Sequence, residues 1–91
     1  MYIKKFSGIL CFMQYDLTII GGGPAGVSAG IYAARKRLKT LFIAESIGGQ
    51  SVESMGVENW VGTLNISGAD LGKALENHLR AVASDVVDIH L

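Results

Sequence analysis

The chain has 91 residues, and its eight Lys and Arg balance eight Asp and Glu, so its formal net charge is zero. This length fits one domain, since domains commonly hold about 100–150 residues, and the charge shows none of the basic excess typical of nucleic-acid binding. A hydrophobic share of 49% with 18% charged residues argues against disorder, and one Cys allows neither an internal disulfide nor a Cys-x-x-Cys pair. The composition therefore predicts a reduced, cytoplasmic globular domain.

Residues 1–13 are predicted to be an N-terminal extension, and residues 14–91 the domain proper. Lys4 and Lys5 precede only a short apolar run, whereas a signal peptide needs about 7–15 apolar residues and a small-residue cleavage site. No stretch approaches the ~20 apolar residues of a membrane span, so no membrane association is expected. Translation can start at Met1 or at Met13, which stands directly before the domain. Cys11 is interpreted as an incidental or packing residue.

From residue 17 onward, short apolar runs alternate with helical patterns. Leu17–Ile20 and Thr40–Ala44 are β-favouring runs that predict buried parallel strands. A helix is predicted from Ala25 to about Leu38, because one helical face would carry Val27, Ile31, Ala34 and Leu38. Strand, helix and strand in about thirty residues predict a right-handed βαβ unit.

The second half of the chain predicts a long loop, a helix and a third strand. Residues 46–67 are rich in Gly and show no period, so they are expected to form a long ordered or semi-ordered loop, of a length that is usually functional or disordered. Ser67 is a candidate N-cap, with Asp70 in the capping-box position, for a helix from about Gly68 to Ala83. The predicted buried stripe of this helix consists of Leu71, Ala74, Leu75, His78, Leu79 and Val82. The third strand is predicted at Val86–Leu91.

Three glycines fit the G-x-G-x-x-G pattern of dinucleotide-binding loops, between the first predicted strand and the first helix. We expect Gly21 to allow the tight turn, Gly23 to let a pyrophosphate approach the backbone, and Gly26 to let the helix pack closely. Pro24 and Ala25 open the helix, whose first amides and partial positive charge suit a phosphate. The alternative is a Gly-rich turn that holds no ligand.

Glu45 ends the second predicted strand, 24 residues after Gly21. Its carboxylate can accept hydrogen bonds from both hydroxyls of an adenosine ribose. No Arg follows it, which disfavours NADP at this position. The local pattern alone does not separate NAD from FAD.

A family resemblance runs from Tyr15 to Leu91. The segments Glu45–Gln50 and Val57–Trp60 resemble the FAD domain of thioredoxin reductases and, equally, the flavoprotein component of alkyl hydroperoxide reductase. The same resemblance is carried by residues 15–26, 31–35 and 66–71. One departure is Val61, where relatives often carry Pro.

The resemblance implies that FAD binds the loop of Gly21–Gly26. It implies that Gly49 and Gln50 line the ribityl and pyrophosphate region, and that Asn59 sits near the isoalloxazine ring. Gln50 and Asn59 each offer an amide donor and a carbonyl acceptor, which suits hydroxyls and ring edges. Without the resemblance, both amides would be interpreted as loop-stabilising groups.

Several other residues are interpreted as structural. Trp60 is expected to anchor the core, and Tyr32 to pack. His78 and His90 are also expected to be structural, and no catalytic set or metal cluster is visible.

The implied fold is α/β, a Rossmann-like βαβ unit with a parallel sheet, and it is the N-terminal portion of an FAD domain that is incomplete in this chain. Such enzymes pass electrons from NAD(P)H through FAD to a disulfide, and their second domain binds NADPH or NADH and carries a Cys-x-x-Cys pair. These 91 residues contain neither, so the chain alone is expected to bind FAD without being active, with a homo-oligomer or a partner chain completing the sheet. Two alternatives are a non-catalytic nucleotide-binding or assembly module completed by a partner, and a fragment of a ferredoxin–NADP reductase-type flavoprotein.

Overall fold

The computed structural model describes residues 2–6 and 9–91, and it describes side chains from residue 14 onward. Two strands come first, β1 (Tyr2–Phe6) and β2 (Ile9–Met13), and they pair antiparallel as a separate two-stranded sheet. The segment predicted as an extension therefore contains two paired strands. Its assignment as a unit apart from residues 14–91 stays a prediction.

The main sheet is parallel and has three strands, β3 (Leu17–Ile20), β4 (Thr40–Ile43) and β5 (Val87–His90). Their order is β3-β4-β5, with β4 in the middle. The helix α1 (Pro24–Arg35) connects β3 to β4, and α2 (Gly68–Ala83) precedes β5. The predicted Rossmann-like α/β fold with its parallel sheet is thereby confirmed.

Both helices pack on one face of the sheet, because two right-handed crossovers that advance in the same direction put their helices on the same side. The core lies between this face and the helices, and its fully buried apolar side chains are Val27, Phe42 and Leu79. Strand residues alternate between the two faces, so Ile19 is buried among the helices. Ile20 points the other way and is 82% exposed. The prediction of a fully buried first strand was therefore wrong.

The first helix ends earlier than its apolar pattern suggests. Its cap residue is Lys36, and Arg37 follows in the left-handed region with φ of 59°. The Arg37 amide donates to the Ala34 carbonyl at 2.9 Å and the Leu38 amide to the Ala33 carbonyl at 3.0 Å, which is a Schellman motif. Leu38 consequently lies beyond the helix, 36% exposed, instead of on its buried face.

The second helix begins and ends where the sequence predicts. The Ser67 hydroxyl accepts a hydrogen bond from the Asp70 amide at 3.1 Å, which confirms the N-cap. Leu71, Leu75 and Leu79 form the buried stripe, whereas Ala74 and His78 are exposed, contrary to expectation. The spacing 71, 75, 79 centres the apolar face on these leucines, and positions 74 and 78 lie at its edge.

The loop between β4 and α2 is ordered by two local features. A short 3₁₀ turn spans Gly49–Glu53. Farther on, Val57 and Ile66 form an isolated antiparallel bridge, with N–H to carbonyl distances of 2.7 and 3.0 Å. Within the part of the chain that the structure describes, no helix is long and apolar enough to cross a membrane.

Candidate cofactor site

The turn between β3 and α1 is built on the glycines of the fingerprint. Gly21 has φ of 116°, a conformation that suits glycine, and its amide donates to the Ile43 carbonyl at 2.8 Å. A Cβ added to Gly26 would lie 1.9 Å from the Gly21 carbonyl oxygen, so this position accepts only glycine. The sequence predicts that Gly26 allows close packing of the helix on the sheet. The structure shows that it also allows the start of α1 to approach the Gly21 carbonyl at the beginning of the turn.

Gly23 is the open position of the turn. A Cβ built on it meets no atom within 4 Å, and it is the N-cap of α1 with an ordinary φ of −76°. The first hydrogen bond of the helix joins the Val27 amide to the Gly23 carbonyl at 2.9 Å. The amides of Ala25 and Gly26 precede that bond and have no partner within the helix. No acidic residue lies in the first helical turn, so the partial positive charge of the helix end is not offset there.

A second backbone segment packs directly on the glycine turn. The Gly48 amide donates to the Gly22 carbonyl at 2.7 Å, and a Cβ at Gly49 would come within 3.0 Å of the Gly23 Cα. Gly22 is equally confined, because its Cβ would lie 2.0 Å from the Ser46 carbonyl oxygen. Sequence reasoning missed Gly22, since it occupies a variable position of the fingerprint. The run of three consecutive glycines is the signal that could have found it.

The turn, the end of β4 and this second segment border one open cavity of about 480 Å³. Gly21, Glu45 and Gly49 line it, together with Ile20 and Ile43 at the strand ends. The cavity lies at the carboxyl ends of the parallel strands, the edge at which open α/β sheets bind their ligands. The structure therefore brings three of the predicted contact positions, Gly21, Glu45 and Gly49, to one place.

Six of the nine predicted contact residues do not line this cavity: Gly23, Pro24, Ala25 and Gly26 of the glycine turn, and Gln50 and Asn59 of the loop. Gln50 is exposed in the 3₁₀ turn, one residue beyond the lining position Gly49. Asn59 is exposed and lines a different cavity, of about 610 Å³, formed by residues 58–64. Trp60 also borders it and packs partly buried against the core, as expected, whereas Tyr32 is 67% exposed instead of packed.

The titratable side chains that the structure describes give no indication of a metal centre at this site. Among the described residues, no three His, Cys, Asp or Glu side chains gather as a metal site would require. A clear pKa shift is found instead at Asp85, at the other end of the domain. A hydrogen bond to its own backbone and the Arg37 guanidinium, 3.1 Å away, lower the pKa of Asp85.

These features define a Rossmann-like α/β domain that carries the glycine fingerprint of dinucleotide-binding proteins. Residues 15–90 match the pyridine nucleotide-disulphide oxidoreductase family, and the chain belongs to it.

Curated relatives and solved structures that the chain resembles include two named reductases. The chain is 41% identical over 75 residues to a component of the alkyl hydroperoxide reductase of Pseudomonas aeruginosa, covering 82% of this chain and 14% of that protein. It is 47% identical over 74 residues to a 34.2 kDa protein in the rubredoxin operon of Clostridium pasteurianum, with 80% and 24% covered. The crystal structure of Lactococcus lactis thioredoxin reductase superposes with a TM-score of 0.76 at 35% identity, over 84% of this chain and 24% of that one. The chain is thus thioredoxin reductase-like and spans a quarter or less of these proteins' length.

Proposed function

We propose that this chain is the FAD-binding portion of a cytoplasmic thioredoxin reductase-like oxidoreductase that passes electrons from NAD(P)H through FAD to a disulfide. FAD would supply the redox chemistry, and the residues of this chain would bind and orient it. The observation that carries the proposal is the cavity of about 480 Å³ in which Gly21, Glu45 and Gly49 meet at the carboxyl ends of the strands.

The proposed roles follow from the donors and acceptors present. The pyrophosphate would lie against Gly23, where a Cβ would meet nothing and where the backbone is therefore open to an approaching group. The amides of Ala25 and Gly26 and the positive end of α1 would stabilise its charge. Glu45, exposed at the end of β4, would accept hydrogen bonds from the adenosine ribose.

The flavin end would extend toward the loop. Gln50 follows Gly49 directly and offers both a donor and an acceptor to the ribityl hydroxyls. Asn59 would contact the isoalloxazine edge, although it lines a separate cavity, so FAD would have to reach from one cavity to the other.

We also propose that the exposed face and edge of the main sheet are covered by a partner. This partner would be a second copy, another chain or further sequence of the same protein. Ile20, 82% exposed, and Ile43, 38% exposed, lie on the sheet face away from the helices. In the sheet described, β3 pairs on one side only. Exposed apolar strand residues and a one-sided edge strand are typical of a sheet that packs against something else. This favours a partner-completed assembly as the second candidate, in which the chain binds nucleotide without catalysis.

The test is a titration of the chain with FAD, followed by flavin fluorescence, for the native sequence and for Glu45→Gln. We expect saturable binding that raises the unfolding midpoint, and an affinity about tenfold lower for the variant, because a hydrogen bond to a charged group is lost. Glu53→Gln, an exposed substitution in the 3₁₀ turn, is the matched control and should bind as the native chain does.

Three further ligands separate the roles. ADP should compete with FAD, and FMN, which has no adenosine, should show no dependence on Glu45. An absent FAD response, or an FAD affinity indifferent to Glu45→Gln, would contradict the proposal. Binding of NAD in preference to FAD would favour the non-catalytic nucleotide-binding module.

A further inference from the structure

The start of α2 lies unusually close to the 3₁₀ turn. A Cβ at Gly68 would lie 1.9 Å from the Ser51 carbonyl oxygen, and a Cβ at Gly72, one turn on, would lie 2.8 Å from Val52 Cγ2. Glycine within a helix costs about 1 kcal/mol relative to alanine. The two glycines are therefore accounted for by this close packing and not by helix formation.

The contact continues from α2 to the glycine turn. Gly48 stands between them in the left-handed region with φ of 109°, and its added Cβ would lie 2.5 Å from Val52 Cγ2 and 3.1 Å from the Gly72 Cα. On its other side, its amide donates to the Gly22 carbonyl at 2.7 Å. Gly49, the next residue, faces the Gly23 Cα. The backbone of Gly48 and Gly49 and the β-branched side chain of Val52, which is stiff, thus form a continuous set of contacts between α2 and the glycine turn.

We propose that Gly72 and Val52 are positioning residues for the cofactor. Their contact sets the height of Gly48 and Gly49 over the glycine turn, and with it the position of Gly49 in the lining of the cavity. Neither residue lines that cavity. The identity of the ligand as FAD rests on the proposed function; the mechanical link between α2 and Gly48 does not.

The first measurement needs no cofactor. The exchange rate of the Gly48 amide hydrogen, measured by NMR, reports its bond to Gly22. Gly72→Ala adds a methyl group only 2.8 Å from Val52 Cγ2, so we expect the Gly48 amide to exchange about tenfold faster. Val52→Ala truncates a side chain that is 41% exposed, keeps the fold, and should also speed this exchange by loosening the contact.

The double variant Gly72→Ala/Val52→Ala adds a methyl group on the helix side of the contact and removes both Cγ methyl groups of Val52 from the other side. It should return the Gly48 exchange rate and the FAD affinity to within about twofold of the native values, while Gly72→Ala alone binds FAD about tenfold more weakly. If Gly72 and Val52 served stability alone, the FAD affinity of each variant would instead change in step with its unfolding midpoint. Gly56→Ala is the matched control: its methyl would come no closer than 3.4 Å to a neighbouring atom, Asn65 Oδ1, and neither Gly48 exchange nor FAD affinity should change.

Each result decides one point. Native Gly48 exchange in both single variants, or a double variant no better than Gly72→Ala, would overturn the positioning role. Should the native chain bind no FAD, the proposed function fails, and the exchange rates still decide whether α2 positions the loop.

Discussion

The two ends of the proposed cofactor site are built in different ways. At the phosphate end, Gly22 and Gly26 touch neighbouring backbone so closely that a single methyl group has no space. At the flavin end, the loop around Asn59 is closed by one bridge, Val57 to Ile66, and exposes apolar side chains such as Val61, which is 97% exposed. Backbone packing determines the first end by itself, whereas the second end leaves apolar surface for another group to cover.

The largest expected effect tests the phosphate end. Gly26→Ala should destabilise the chain by about 3 kcal/mol or more, because its Cβ would meet the Gly21 carbonyl oxygen at 1.9 Å. At about 4–8 °C per kcal/mol for a domain of this size, thermal unfolding should move down by more than ~12 °C. An unchanged midpoint would show that the turn is looser than its contacts imply.

Gly23→Ala is the matched control at the same turn. It has an ordinary φ of −76° and open space around its Cβ, so stability should stay within about 0.5 kcal/mol of the native value. FAD affinity should nevertheless fall at least about tenfold, because the methyl group would occupy the pyrophosphate position. If Gly23→Ala bound FAD as tightly as the native chain does, the pyrophosphate would not lie against this residue.

The support of the phosphate end by α2 predicts an intermediate effect. Ser67→Ala removes the acceptor for the Asp70 amide and should cost about 1 kcal/mol, or roughly 4–8 °C in the unfolding midpoint. Ser67→Asp keeps an acceptor oxygen and should unfold close to the native midpoint. A similar loss in both variants would argue that the cap is not what stabilises the helix start.

The flavin end should respond in affinity but not in stability. Asn59 is exposed, so Asn59→Ala should change the free energy of unfolding by less than about 0.5 kcal/mol. Loss of one neutral hydrogen bond should weaken FAD binding by about two- to tenfold, measured by fluorescence titration. Val61→Ala is the neighbouring control and should alter neither quantity. Native FAD affinity in Asn59→Ala would remove this residue from the proposed site.

The smallest effect lies far from both ends, at the Asp85–Arg37 ion pair. The pKa of Asp85 is lowered in the folded chain from its ordinary 3.8, so its contribution to stability is present above about pH 3.8 and is lost as the pH falls through the lower folded pKa. Because the pair is exposed, the change should be smaller than the losses expected for Gly26→Ala and Ser67→Ala. Midpoints measured between about pH 6 and pH 2.5 should fall slightly less for Asp85→Asn than for the native chain. A steeper fall of the midpoint in Asp85→Asn than in the native chain would contradict a stabilising role for the Asp85 carboxylate.

Much of the fold could be predicted because it depends on local rules. The N-cap at Ser67, the helix from Gly68 to Ala83 and the strand at Leu17–Ile20 all follow from residue type and spacing. The early end of α1 could not be predicted from its apolar period, because a non-glycine residue, Arg37, adopts the left-handed conformation that closes the helix.

The candidate site divides in the same way. The fingerprint glycines and Glu45 can be found from their order along the chain, and the structure places Gly21, Glu45 and Gly49 around one cavity. Gly22 was missed because its requirement comes from Ser46, a residue beyond another strand end that no local pattern connects to it.

By itself, the sequence determined the strands and helices from residue 17 onward, their parallel arrangement and the chemistry of the glycine turn, since these depend on hydrophobic period, capping and the absence of side chains. Only the tertiary structure decided which strand residues are buried, because both helices lie on one face and leave Ile20 outside. It alone also decided that α2 reaches the turn through Val52 and Gly48, since contacts between residues distant in sequence depend on how whole elements pack.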